Sequence, residues 1–144
     1  MWTPPRDPRT VLATGVFDLL HAEHVALLQF ARAQGEILVV GMNSDASVRA
    51  IKGPGRPIIP ELHRYRMLRA LRCVDRVEVF SEVTPRLLIE RLRPDILVKG
   101  HDYLNKPVPE AEILADWGGR LVIAPTSSHI TTSQIINHIR SLPA

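Results

Sequence analysis

The sequence predicts an α/β fold: a single doubly wound, five-stranded parallel sheet with helices on both faces. Three observations carry this. Short β-rich apolar runs alternate strictly with longer helical stretches along the 144 residues. Most of those runs are near-continuously apolar, which is how strands read when helices cover both faces of a sheet. Right-handed crossovers between them then give an open parallel sheet.

Taken in order, TVLATGV (10–16) reads as the first strand. AEHVALLQFARAQG (22–35) reads as a helix, with Val25, Leu28 and Ala31 at i, i+3 and i+6 and Gly35 as its stop. EILVVGM (36–42) is a continuous apolar strand, and SDASVRAIKG (44–53) opens on cap-type residues as a short helix. GPGRPIIP (53–60) is a loop, because two glycines and three prolines break any regular element. ELHRYRMLRALRCV (61–74) is a helix with Leu62, Met67, Leu68, Leu71 and Val74 as its apolar face. RVEVF (76–80) alternates as a strand. TPRLLIERLRP (84–94) is a helix with Thr84 as cap and Pro85 at the first helical position. DILVKG (95–100) is the fourth strand, EAEILADWGG (110–119) is helical up to its glycine pair, and RLVIAP (120–125) is the fifth strand. TTSQIINHIRS (131–141) closes the chain as a helix, where Thr131 and Gln134 have capping-box spacing.

A chain of this length fits one domain, expected at 10–144. MWTPPRDPR (1–9) carries three prolines and no apolar signal core, so it reads as a loose N-terminal tail. No apolar run reaches the roughly 18 residues a membrane helix needs, so a cytoplasmic protein with no membrane partner is expected. The one cysteine, Cys73, reads as a buried, inert thiol. Eighteen Lys and Arg against 15 Asp and Glu leave a net charge of +3, without a like-charge block of five or more. That argues against nucleic acid as a partner and suits a small anionic substrate.

A Rossmann-like sheet of this kind binds its ligand outside the C-terminal strand ends, where the strand order reverses. The residues to inspect are Gly15 to His24, Asn43 and Ser44, Lys99 to Tyr103, and Thr126 to Ser133. Two histidines, His21 and His24, stand three apart at the start of the first helix and share a face there. Free backbone N–H groups and the macrodipole favour an anion at that point. The alternative is one capping or packed histidine and one solvated one. Zinc is disfavoured, because helical zinc pairs are spaced i, i+4 and no Cys pair or second His pair completes a set. No metal ligand from the protein is expected.

TGVFDLLHAEH (14–24) resembles the signature of the nucleotidyltransferase superfamily that carries an HxGH motif. That group includes glycerol-3-phosphate cytidylyltransferases and heptose-phosphate adenylyltransferases. The likeness continues in order through NSDASVRAIKGPGRPIIP, HRYRMLRALRCVDRVEVF, TPRLLIERLRPDILVKGHDY, PEAEILADWGGRLVI and ITTSQII. LVKGHDY (97–103) is similar to the LVKGGDY of the adenylyltransferase domain of ADP-heptose synthesis. Two departures stand out: Glu23 replaces the signature glycine, and His101 replaces a glycine usual in the heptose group.

The resemblance implies transfer of AMP from ATP, with Mg²⁺, to a sugar 1-phosphate such as D-glycero-D-manno-heptose 1-phosphate, with release of pyrophosphate. Transfer from CTP to glycerol 3-phosphate is the enzyme alternative. A nucleotide-sensing module without turnover is the other, and Glu23 is its best support. By resemblance, His21, His24 and Lys52 are catalytic, on the α-phosphate and the leaving charge. Thr14, Gly15, Phe17, Lys99, Thr131, Thr132 and Ser133 contact the nucleotide. Asp18, Arg56, Arg64, Gly100, Asp102 and Tyr103 contact the second substrate. Base choice rests on Pro125 to His129. A homodimer, with a face from the arginine-rich helix 61–74, and a separate upstream sugar kinase are implied as partners.

Overall fold

A computed structural model describes residues 1–125 and 130–144. Its elements run β1 (Thr10–Gly15), α1 (Ala22–Ala33), β2 (Ile37–Asn43), α2 (Asp45–Lys52), α3 (Glu61–Arg69), β3 (Arg76–Phe80), α4 (Arg86–Leu92), β4 (Ile96–Lys99), α5 (Ala111–Leu114), β5 (Arg120–Ile123) and α6 (Thr132–Ser141). Single 3-10 turns fill His101–Tyr103 and Ala115–Trp117. All strand pairs are parallel, in the order β3-β2-β1-β4-β5. The chain walks outward from β1 to β3 and then returns to β4 on the other side of β1. The order therefore reverses at β1 and β4, and the crevice over their C-terminal ends is the binding position of this topology.

Strand alternation divides the core into two layers. Val11 and Ala13 of β1 and Ile96 and Val98 of β4 pack with Leu28 and Ala31 of α1 and Leu68 of α3. Leu12 and Leu97 point the other way, onto Leu88 and Ile89 of α4 and Leu114 of α5. Both layers are buried and apolar, so near-continuous apolar strands are what the sheet needs.

Several boundaries differ from the sequence reading, each for a local reason. The helix expected over 61–74 stops at Arg69, and Leu71 and Val74 close a following turn through backbone bonds to Leu68 and Leu71. Its expected apolar face is only half right. Leu68 is buried, but Leu62 and Met67 are more than half exposed, and the inward position belongs to Arg64. Pro85 is the N-cap of α4 rather than its first residue, and Thr84 makes no cap. The helix expected at 110–119 is one turn of α5 plus a 3-10 turn, ended by Gly118 at φ 78°. Gly35 follows the cap Gln34 where α1 stops, and it also allows close approach: a Cβ there would lie 2.7 Å from the Arg9 carbonyl oxygen. Residues 1–9 are exposed and carry no regular element. Cys73 is half-buried, and burial pushes its thiol pKa up. No helix among the described residues is long and apolar enough to cross a membrane.

Candidate active site

The loop from β1 into α1 brings the histidines to the crevice. Phe17 and Leu19 sit in the left-handed region, at φ 54° and 49°. Neither is glycine, so each costs on the order of 1 kcal/mol of strain that packing must hold. Phe17 is buried and its ring edge meets His24, with centroids 5.4 Å apart. Nothing in the local sequence announces these two conformations.

His21 is the N-cap of α1, and His24 is the third residue of its first turn. The two rings stack at 3.7 Å with 20° between their planes. The backbone N–H of His21 donates to Nδ1 of His24 at 3.3 Å. That nitrogen is an acceptor, so the proton of the neutral ring sits on Nε2. Burial above all, and then the neighbouring His21, push the His24 pKa from its ordinary 6.5 down to about 4, against the pull of Asp18 and Glu23. Burial lowers His21 as well, with Glu23 opposing. At neutral pH the pair is thus uncharged, and His24 offers one N–H.

The second helix end meets the first here. Thr131 caps α6 by accepting from Gln134 N at 3.1 Å, while Gln134 accepts from Thr131 N at 2.9 Å. The hydroxyl of Thr132 donates to the Asp18 carbonyl at 3.0 Å and lies 3.4 Å from Nε2 of His21. Nδ1 of His21 is buried with no full hydrogen bond. Two sets of free backbone N–H groups therefore converge on one crevice.

Beside them lies a cleft of about 280 Å³ between α6 and the loop after α2. Lys52, Arg56, Ser133, Asn137 and Arg140 supply its polar lining. Among the described residues no carboxylate pairs with Lys52 or Arg140, and no acid lines the cleft. Such a wall is electrostatically suited to an anion. Asn137 and Arg140 were not anticipated from the sequence, although Ser133, Asn137 and Arg140 at i, i+4 and i+7 already lie along one helical face.

Two expected substrate ligands, Asp18 and Arg64, hold neighbouring loops together. Asp18 is 1% exposed, and its carboxylate accepts from Ile58 N and Ile59 N at 2.8 Å each and from Arg56 Nε at 3.2 Å. It ties the 53–60 loop to the β1–α1 loop and presents Arg56 to the cleft. Arg64 is also 1% exposed. Its guanidinium donates to the carbonyls of Ile59, Val16 and Asn43 and to the Asp45 carboxylate, all within 2.9 Å. These acceptors take four of its five N–H donors, so it braces three loops.

At the other side of the crevice Lys99 ends β4, 6% exposed, and donates to Thr14 Oγ1 at 2.8 Å. Its ammonium lies 5.1 Å from the Tyr103 ring centre. Burial lowers its pKa, with Glu110 opposing. Gly100 is half-buried, and a Cβ there would meet open space. Asp102 is exposed on the 3-10 turn. Gly15 fits against the Phe17 ring, 3.2 Å from where its Cβ would be. Thr126 to His129, on which base choice was expected to rest, lie outside the described residues.

A family model described as cytidylyltransferase-like matches residues 12–141. The chain belongs to that family. It is 58% identical over 115 residues to the bifunctional protein HldE of Streptomyces coelicolor, covering 80% of this chain and 25% of that protein. It is 48% identical over 134 residues to HldE of Syntrophotalea carbinolica, covering 93% of this chain and 27% of that one. The chain thus spans about a quarter of the length of these curated relatives. Among solved structures, a lipopolysaccharide core biosynthesis protein from Thermoplasma volcanium superposes with a TM-score of 0.67 at 28% identity, over 86% of this chain and all of that one. A pantothenate synthetase from Thermus thermophilus shares the fold, with a TM-score of 0.59 at 16% identity over 91% of this chain and 62% of that one.

Proposed function

We propose that the chain is an adenylyltransferase that moves AMP from ATP onto the phosphate of a sugar 1-phosphate, D-glycero-D-manno-heptose 1-phosphate, and releases pyrophosphate. The observation that carries this is the junction of the α1 and α6 N-termini at His21 and Thr132, opening on the cleft of Lys52, Arg56 and Arg140. It supplies amide donors, imidazole N–H and cations for a polyphosphate, and no base. None is required, because a phosphate monoester is already nucleophilic at neutral pH. Catalysis then rests on positioning and on neutralising charge at the α-phosphate and the leaving group. The pair of neutral histidines serves as donor rather than as acid or base.

The sugar substrate is supported by the similarity of LVKGHDY, by relatives named HldE, and by a structural neighbour named for lipopolysaccharide core biosynthesis. Mg²⁺ belongs to this reading as part of the Mg-ATP substrate. Asp18 already accepts from Ile58 N, Ile59 N and Arg56 Nε, so water and phosphate oxygens would supply most of the ion's ligands. The reaction belongs in the cytoplasm, where nucleoside triphosphates are made, downstream of a sugar kinase that produces the phosphate. A homodimer is part of the same reading. The exposed Leu62 and Met67 of α3, beside an apolar groove of about 510 Å³ lined by Leu19, Ile59 and Ile135, support a covered face there.

Glu23 favours a second reading. It places a carboxylate in the first turn of α1, where the phosphates would approach. A nucleotide-binding module with little turnover fits that residue. A pyrophosphate-release screen with ATP or CTP against a panel of sugar and alcohol phosphates separates these readings. The proposal expects release with ATP and the heptose phosphate. Tight ATP binding with no release under any pairing favours the module, and release with CTP and glycerol 3-phosphate favours a cytidylyltransferase.

A further inference from the structure

α6 carries one wall of the anion cleft, yet it is the least anchored helix. Among the described residues every other α-helix buries at least one side chain, and α6 buries none. A helix of ten residues holds in water chiefly by burying an amphipathic face. α6 has such a face. Ile135, Ile139 and Leu142 stand at i, i+4 and i+7, on one side of the helix. Ile139 and Leu142 are 58% and 55% exposed, and Ile135 lines the apolar groove beside α3.

That groove is also the back wall of the active site. Phe17, Leu19, Leu20, Ile59, Met67 and Ile135 line its roughly 510 Å³. Phe17 meets the His24 ring, and Leu19 and Leu20 fill the step from Asp18 to His21. Ile59 N donates to Asp18, and Ile135 comes one turn after Thr132. Leu19 holds a φ of 49° with a side chain that is only half-buried. Such strain persists where the surroundings fix it. A body seated in the groove therefore tightens the histidine loop, the clasped end of the 53–60 loop and α6 through one contact.

The chemistry of the groove selects its occupant. No carboxylate lines it, and its one arginine, Arg64, is turned into the fold. It suits apolar side chains, and the same face exposes two of them, Leu62 and Met67 of α3. A surface with both a groove and the apolar side chains to fill it is self-complementary. A two-fold contact between identical chains requires that property.

We infer that a second copy of this chain seats on the α3–α6 face and completes the nucleotide site by fixing α6 and the histidine loop. This rests on the proposed reaction and its homodimer, and it gives the dimer a task. Dimerisation and Mg-ATP binding are then linked. The dimer binds Mg-ATP more tightly than the monomer does, and Mg-ATP tightens the dimer by the same factor.

The test uses the full chain. Sedimentation velocity reads the oligomeric state, calorimetry reads Mg-ATP affinity, and amide exchange reads α6. As the wild type is diluted from dimer to monomer, the α6 amides exchange at least about tenfold faster, and those of β1 and β2 keep their rates. Met67→Glu puts a charge into the contact, so it sediments as a monomer and its Mg-ATP affinity falls at least about tenfold. Should that variant not fold, Leu62→Glu serves in its place, and dilution of the wild type still decides. A wild type that is monomeric throughout, a dimer that survives both substitutions, or a monomeric variant with wild-type affinity for Mg-ATP overturns the inference. Failure of the wild-type dimer to bind Mg-ATP strikes the proposed reaction instead, and the α6 exchange rates then decide whether the second copy fixes that helix.

Discussion

Removing the titration of His24 flattens the acid side of the stability profile. The native pKa is held near 4 against an ordinary 6.5, chiefly by burial. Between those values the unfolded chain binds a proton that the native state refuses. Stability from this group is full above pH 6.5 and is lost as pH falls towards 4. At about 1.36 kcal/mol per pH unit, the loss between pH 7 and 5 is about 2 kcal/mol. The lowered value of His21 adds in the same direction. Ending at pH 5 stays above the ordinary carboxylate pKa, below which Glu36, Asp45 and Glu78, whose values are lowered in the fold, begin to lose their own contribution. His24→Asn is the informative variant, because its carboxamide oxygen stands where Nδ1 accepts from His21 N and does not titrate. The assay is urea unfolding of both proteins at pH 7 and pH 5. With a urea dependence of 1–3 kcal/mol per M, the wild-type midpoint falls by about 0.7–2 M and that of the variant by much less. Parallel falls would refute the claim that His24 is buried as a neutral ring.

Four other outcomes follow from the same contacts. Arg64→Lys leaves the carbonyls of Val16, Asn43 and Ile59 short of donors, so unfolding at pH 7 shows a loss of about 3–5 kcal/mol. Asp18→Asn cannot accept from both Ile58 N and Ile59 N, which costs about 1.5–3 kcal/mol and exposes the 53–60 loop to protease nicking. Arg140→Ala raises KM for ATP about tenfold in the pyrophosphate assay, the worth of a single charge contact near 1.4 kcal/mol, and leaves kcat within a few fold. Glu23→Gly removes a negative charge from the first turn of α1 and raises kcat/KM several-fold, at a stability cost of about 1 kcal/mol.

The sheet was legible because its strands are short, apolar and regularly interrupted, so periodicity marks β1 to β5, while the switch point at β1 and β4 emerges only from the strand order. The capping box of Thr131 and Gln134 was legible for the same reason: it is a local hydrogen-bond pattern with fixed spacing. The site was readable only as far as its residues act locally. His21 and His24 lie three residues apart, so their sharing a face follows from sequence spacing, and the fold adds the ring stacking. The roles of Asp18 and Arg64 do not, because their partners lie 21 to 48 residues away for Arg64 Nη1 and about 40 away for Asp18. Charge in a motif suggests ligand contact, and only the fold shows that these charges hold loops together. Arg64 also explains why α3 looked more buried than it is: an arginine occupies the inward position that periodicity assigns to Leu62 or Met67. The left-handed Phe17 and Leu19 escaped because no glycine marks them.

The central claim is tested most directly by a crystal structure of the chain with Mg-ATP. The account predicts the triphosphate between the N-termini of α1 and α6, with Nε2 of His24 donating to an α-phosphate oxygen and the β- and γ-phosphates beside Lys52 and Arg140. A triphosphate bound away from the stacked histidines, with that cleft left to solvent, would contradict it.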